Sequence, residues 1–235
     1  MKKLLALISL LSFAQANAQT WRDLLFPSEQ QVMQTCSVAT RIESMPRTTE
    51  AQKTDYDTQR SAARLGKFLN DYRSMTADPV AKLQAMVDSV RLQFPTGSAY
   101  VICGKAAGEL KAPPTYSQLP NIMLVYIGAR AKERNIAEGY NAVLAFYDAG
   151  ENELTRLQPS RARKGDISDW RPSCTSGTCK WVGENTYYFT PTPELNKVLD
   201  KVASMKLIFT RGQGIEERRY TLEDFKKPSL IDPKN

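Results

Sequence analysis

From Trp170 to Leu222 the chain carries an unbroken series of local folding signals, and together they leave few architectures open. Cys174-Thr-Ser-Gly-Thr-Cys179 closes a short loop between two cysteines. Trp181 to Thr190 is rich in aromatic and β-branched residues and reads as a strand. Thr192-Pro193 then supplies a cap with proline at the first helical position, and Leu195, Val198, Leu199 and Val202 form that helix's inner face. Met205, Leu207 and Phe209 alternate with Lys206, Ile208 and Thr210, the period of a second strand. Gly212-Gln213-Gly214 turns the chain, and Ile215 to Leu222 returns beside it. Thr221 and Asp224 resemble a capping box for a short last helix. Strand, helix, strand, turn and strand make an α+β device, which by itself carries no function.

Upstream, the periodicity is helical. Val32, Cys36, Ala39 and Ile42 lie on one face of a helix over 29–44. Residues 47–54 are polar and read as a loop. Leu65, Phe68, Leu69, Tyr72 and Met75 form the stripe of a second helix over 57–76. Asp78-Pro79 starts a third over 79–93, with Val80, Leu83, Met86, Val87 and Val90 inward, and Phe94-Pro95 ends it. Beyond Gly97 the period shortens. Strands are expected at Tyr100–Cys103, Ile122–Ile127, Asn141–Tyr147 and Leu154–Leu157, with a turn over 148–152. Residues 105–120 read as a loop, and 129–140 fit a helical turn or a hairpin excursion equally well. The expected fold is α+β: N-terminal helices packed on an antiparallel or mixed β-sheet formed by the C-terminal two-thirds. The helical region is 19–96, the sheet region 97–226 belongs to the same domain, and 227–235 is a loose polar tail.

Residues 1–18 read as a signal peptide. Met1-Lys2-Lys3 is a basic start, Leu4 to Ala14 an apolar core, and Ala16-Asn17-Ala18 a small-residue cleavage site before Gln19. Cleavage after Ala16 is the alternative. The apolar core is too short to span a bilayer, and no other stretch is long enough, so the mature chain is expected to have no transmembrane segment. Localisation is therefore periplasmic or secreted, through a bacterial-type signal. The formal charge of +7 includes Lys2 and Lys3, so a modest positive excess remains after cleavage. It favours anionic surroundings. Nucleic acid is not expected as a partner, because an exported chain with no recognised reader motif has no means to select it.

Four cysteines in an exported chain suggest two disulfides with three possible connectivities. Cys174–Cys179 is the natural local pair, which leaves Cys36–Cys103 as a long-range bridge from the helical region to the first expected strand.

The sequence contains no histidine. That removes Ser-His-Asp and Cys-His catalysis, His-bearing metalloprotease motifs and histidine-ligated zinc or haem. Four residues separate Cys174 and Cys179, where thioredoxin-type chemistry uses two, so a structural staple is the better reading. Gly212-Gln213-Gly214 is followed by Ile215, Glu216 and Glu217 rather than a third glycine and a helix start, so it is a turn and not a phosphate loop. Neither cofactor nor metal is expected. Glu151, Glu153, Asp166, Asp169, Glu184 and Asp200 are the carboxylates available to glycoside chemistry, with Glu184 set between Trp181 and Tyr187-Tyr188. The densest basic run is Arg156, Arg161, Arg163, Lys164 and Arg171, in a segment that reads as a loop. With Tyr187 or Tyr188, whichever faces outward, it forms the candidate binding surface. The expected function is a non-enzymatic exported binding or accessory protein that contacts an envelope protein or an anionic ligand. The alternatives are a carboxylate-based envelope glycan hydrolase and a subunit of an envelope secretion or assembly apparatus.

Overall fold

A computed structural model describes residues 19–73, 85–131, 141–164, 171–175, 178–211 and 214–231. The signal-peptide segment, Asp78-Pro79, Asp166, Asp169, 132–140, 212–213 and 232–235 therefore lie outside the described residues. Each of the first three helices begins at a reciprocal cap: Thr20 with Asp23 at α1 (Trp21–Leu25), Ser28 with Gln31 at α2 (Glu29–Glu43), and Thr49 with Gln52 at α3 (Glu50–Arg64). The expected stripe of α2, Val32, Cys36, Ala39 and Ile42, is buried.

The second and third helices differ from expectation. α3 starts within the segment read as a loop and ends at Arg64. Gly66 at φ +69° reverses the chain, and Phe68–Tyr72 forms β1. Leu65, Phe68, Leu69 and Tyr72, expected on one helical stripe, thus lie in the link and strand after the helix, and Met75 lies outside the described residues. Ala85–Gln93 is β2, not a helix. A β-bulge between Val87 and Ser89 places the buried Val87, Val90 and Leu92 at spacings of three and then two, which imitates a helical period. Phe94-Pro95 opens a helix instead of closing one: α4 runs Pro95–Gly108, so Tyr100–Cys103 is helical and not a strand. Pro95 sits in its first turn, and Pro95 to Tyr100 are all buried, so no one-sided stripe advertises the helix. Gly97 permits this packing, because a Cβ there would lie 2.6 Å from the Lys67 carbonyl oxygen.

Beyond Met123 the expected strands and the Thr192-capped helix are present. β3 (Met123–Ala131), β4 (Asn141–Tyr147), β5 (Glu153–Leu157), β8 (Thr178–Phe189), β9 (Ser204–Arg211) and β10 (Gly214–Tyr220) are strands, and α5 (Pro193–Val198) is the Thr192-capped helix. The basic run is not a loop: Arg161–Arg163 is β6 and Arg171–Thr175 is β7. Nor is the start of the tail loose, because Ser229–Ile231 forms β11 in parallel with β1.

Among the described residues these strands make two sheets. The larger is mixed, ordered β11-β1-β2-β3-β8-β6 with β7 also on β8. The smaller is antiparallel, ordered β10-β9-β4-β5. The larger sheet thus begins inside the region expected to be wholly helical. Alternate residues of both sheets meet in one core: Leu69, Val90, Leu92, Val125, Ile127, Tyr187 and Phe189 face Leu144, Phe146, Leu207, Phe209 and Tyr220. Trp21 joins that core, with its ring edge-on to Phe146 and Phe225.

A second, smaller cluster of Cys36, Ala39, Phe68, Tyr100 and Cys103 lies on the other side of the larger sheet. The Cys36–Cys103 disulfide ties α2 to α4 there, with Cα atoms 5.2 Å apart. The bridge has the expected partners but joins two helices, not a helix and a strand. Cys174 and Cys179 are directly opposed in the β7–β8 ladder, and their side chains lie outside the described ones. Among the described residues no helix is long and apolar enough to cross a membrane.

Candidate binding surface

The strand period sorts the larger sheet into two faces. Val125, Tyr187 and Phe189 point into the core, so Tyr126, Thr186 and Tyr188 point away from it. Register then builds a row across four strands: Arg91 opposes Tyr126, Tyr126 opposes Thr186, and Thr186 opposes Arg163. Beside it, Leu124 opposes Tyr188 and Tyr188 opposes Arg161. Same-face neighbours on paired strands lie about 5 Å apart, close enough for their side chains to interact.

The charges and rings on this face are organised. The Arg91 guanidinium lies 3.9 Å from the centre of the Tyr126 ring and 3.4 Å from a carboxylate oxygen of Glu184. Arg161 sits 5.4 Å above the Tyr188 ring. Each contact holds a cation against a π-face while much of the side chain stays in water, a geometry worth about 0.5–1 kcal/mol. The Tyr126 hydroxyl donates to Gln93 Oε1 at 3.3 Å. Burial raises the pKa of Tyr126, and Glu184 and Tyr188 add to that while Arg91 opposes it, so the ring keeps its proton and remains a donor. One end of the face is closed by α4, where Gln93 bonds Ser98 and Tyr100 packs edge-on against Phe68.

This arrangement sorts the expected site residues. Arg161, Arg163 and Tyr188 converge on the open face. Lys164 follows β6 and donates to Asn141 Oδ1 at 3.1 Å. Arg156 belongs to the other sheet, where it makes two hydrogen bonds to Glu153. Tyr187 is 1% exposed and belongs to the core, so Tyr188 is the outward tyrosine. Arg171 pairs through its backbone with Val182, and its side chain lies outside the described ones. Arg91 and Tyr126 were not among the expected site residues. Arg91 was hidden by the helical reading of its strand, although its place between Val90 and Leu92 is what an outward strand position looks like.

Each described carboxylate considered for glycoside chemistry is ion-paired with an arginine. Glu151 pairs with Arg219, Glu153 with Arg156, Glu184 with Arg91, and Asp200 with Arg22.

The seam between the sheets holds an ionic cluster that sequence reasoning also missed. Asp71, wholly enclosed on β1, accepts two hydrogen bonds from the Arg73 guanidinium at 2.9 and 2.8 Å and one from the Tyr220 hydroxyl. Arg218 Nη1 is 3.1 Å from Asp71 Oδ1 but is not aligned as a hydrogen bond, which leaves both its terminal nitrogens without an acceptor. Burial alone would raise the Asp71 pKa; the Arg73 hydrogen bond and the Arg218 charge outweigh it and hold the carboxyl below its ordinary value. Two residues along β10 from Arg218, burial pushes Glu216 up to about 7, with Arg218 opposing.

No family model, curated protein or solved structure matches the chain.

Proposed function

We propose that the protein is an exported binding or accessory protein whose open face on the larger sheet contacts an acidic envelope protein or another anionic envelope ligand. The observation that carries this reading is the convergence of Arg91, Arg161 and Arg163 with Tyr126 and Tyr188 on one face of the larger sheet. Arginine and tyrosine are the residue types that most often concentrate binding energy, and here their rings and guanidinium groups are already in register. Glu184 is a described carboxylate on this face and pairs with Arg91. Export is supported by the Cys36–Cys103 bridge, since oxidising compartments are where such bonds persist, and by the signal-like start of the sequence.

The test is quantitative chemical cross-linking of the full chain in the native envelope. Wild type is compared with an R161A/R163A double variant, and adducts are measured at low and raised salt. The expected result is a discrete adduct that falls at least several-fold in the variant and weakens as salt rises. The same adducts at equal yield from both proteins would reject the proposal. If the adduct contains a component of a secretion or assembly apparatus, the protein is a subunit of that machine.

A further inference from the structure

On the helical side of the molecule a groove of about 400 Å³ runs between α3 and α4, lined by Glu43, Arg60, Arg64, Tyr100, Gly104 and Lys105, among others. That volume lies near the lower end of the range for small-ligand sites. Its floor holds a polar group without a partner. Tyr100 is 4% exposed, and its hydroxyl is buried with no hydrogen-bond partner. An enclosed hydroxyl in that condition costs stability, so its retention calls for a reason.

The surrounding charges supply one. Glu43 is already engaged: it accepts from the Tyr56 hydroxyl at 3.0 and 2.9 Å, pairs with Arg47 at 3.4 Å and lies 3.6 Å from Arg60 Nε. Arg60 Nε is itself buried without an aligned acceptor. Arg64 stacks at 4.4 Å over the Phe68 ring, and burial followed by the repulsion of Arg60 and Arg91 lowers its pKa. The Arg60 and Arg64 guanidinium groups line the same groove and repel one another, and an anion between them relieves the repulsion. Glu109 does not serve, since it pairs outward with Lys105 and Lys111.

We propose that this groove is a binding site for a phosphate group carried on a larger molecule, held by the Arg60 and Arg64 guanidinium groups and the Tyr100 hydroxyl. Donors from two helices suit a tetrahedral oxyanion, and the remaining volume takes the group that the phosphate esterifies. The groove adjoins the α4 end of the open sheet face, and it takes its ligand whether or not that face binds a partner.

The experiment titrates the full chain with glycerol 3-phosphate and with inorganic phosphate, with acetate at matched ionic strength as the control. Calorimetry and the ligand-dependent rise in melting temperature provide the readouts. Wild type is expected to bind glycerol 3-phosphate saturably and acetate far more weakly. Y100F is expected to bind about tenfold more weakly, the loss of one hydrogen bond to a charged group. Without ligand it should melt no lower than wild type, because the unpartnered hydroxyl is gone. R64Q should lose saturable binding, and R161A/R163A should retain it. Phosphatidylglycerol vesicles that compete with glycerol 3-phosphate would identify a lipid source, and vesicles that do not compete would identify a soluble ester. Equal affinity of Y100F and wild type, phosphate binding no stronger than acetate, or loss in R161A/R163A with retention in R64Q would each overturn the proposal. The last result would leave the sheet-face reading standing.

Discussion

The Tyr220 hydroxyl donates a 2.9 Å hydrogen bond to Oδ2 of Asp71, joining the smaller sheet to the larger where both side chains are fully enclosed. Arg73 and Arg218 complete the cluster around the same carboxylate. Removing that charge would strand Arg218, which is only 6% exposed. D71N should therefore lose about 3–5 kcal/mol of stability, the usual cost of breaking one side of a buried ion pair. Urea denaturation of wild type and D71N checks this, and a loss below about 1 kcal/mol would show that the cluster is not a structural tie.

Two carboxyl groups in this seam give opposite pH dependences. Asp71 has its folded pKa lowered below the ordinary 3.8, so its contribution is present above that value and is lost as pH falls through the folded pKa. Glu216 has its folded pKa raised from 4.5 to about 7, so its contribution is full below 4.5 and is lost as pH rises through about 7. Melting temperature should decline between those two values in wild type, and E216Q should flatten that decline. An unchanged slope in E216Q would assign the pH dependence to another group.

The Cys36–Cys103 bridge closes a loop with a sequence separation of 67. Chain-entropy reasoning gives about 4 kcal/mol for a loop of this size. A C36A/C103A double variant should show a clear drop in its denaturation midpoint, with the far-ultraviolet spectrum retained. A midpoint equal to wild type would mean that α2 and α4 are held by packing alone.

What could be read in the sequence divides by the range of the interactions that make each element. β8, α5, β9 and β10 are specified locally, by aromatic alternation, by Thr192-Pro193 and by a two-residue period, and all of them lie where expected. β1 is specified by distant partners: Asn70 pairs with Arg91 on one side and with Ser229 on the other. No window around Phe68 contains that information, and its apolar residues were absorbed into a helical stripe. The bulge at Val87 and the all-round burial of α4 erased the period in the neighbouring segments. The candidate surface was legible in half. Arg161, Arg163 and Tyr188 stood out as a basic run beside an aromatic one, whereas Arg91 and Tyr126 join them only through the pairing of β2, β3 and β8. The Asp71–Tyr220 tie spans 149 residues and left no local trace.

The central claim is that the open face of the larger sheet meets an anionic partner. Thr186 lies at the middle of that face, between Tyr126 and Arg163. Thr210 lies on the outer side of the smaller sheet, opposite Asn141 and Ile215. The decisive measurement places a photo-activated cross-linking residue at each position in turn and irradiates the protein in the native envelope. A salt-sensitive adduct from position 186 and none from position 210 is the predicted result. Equal adducts from both positions, or an adduct from position 210 alone, would contradict the claim.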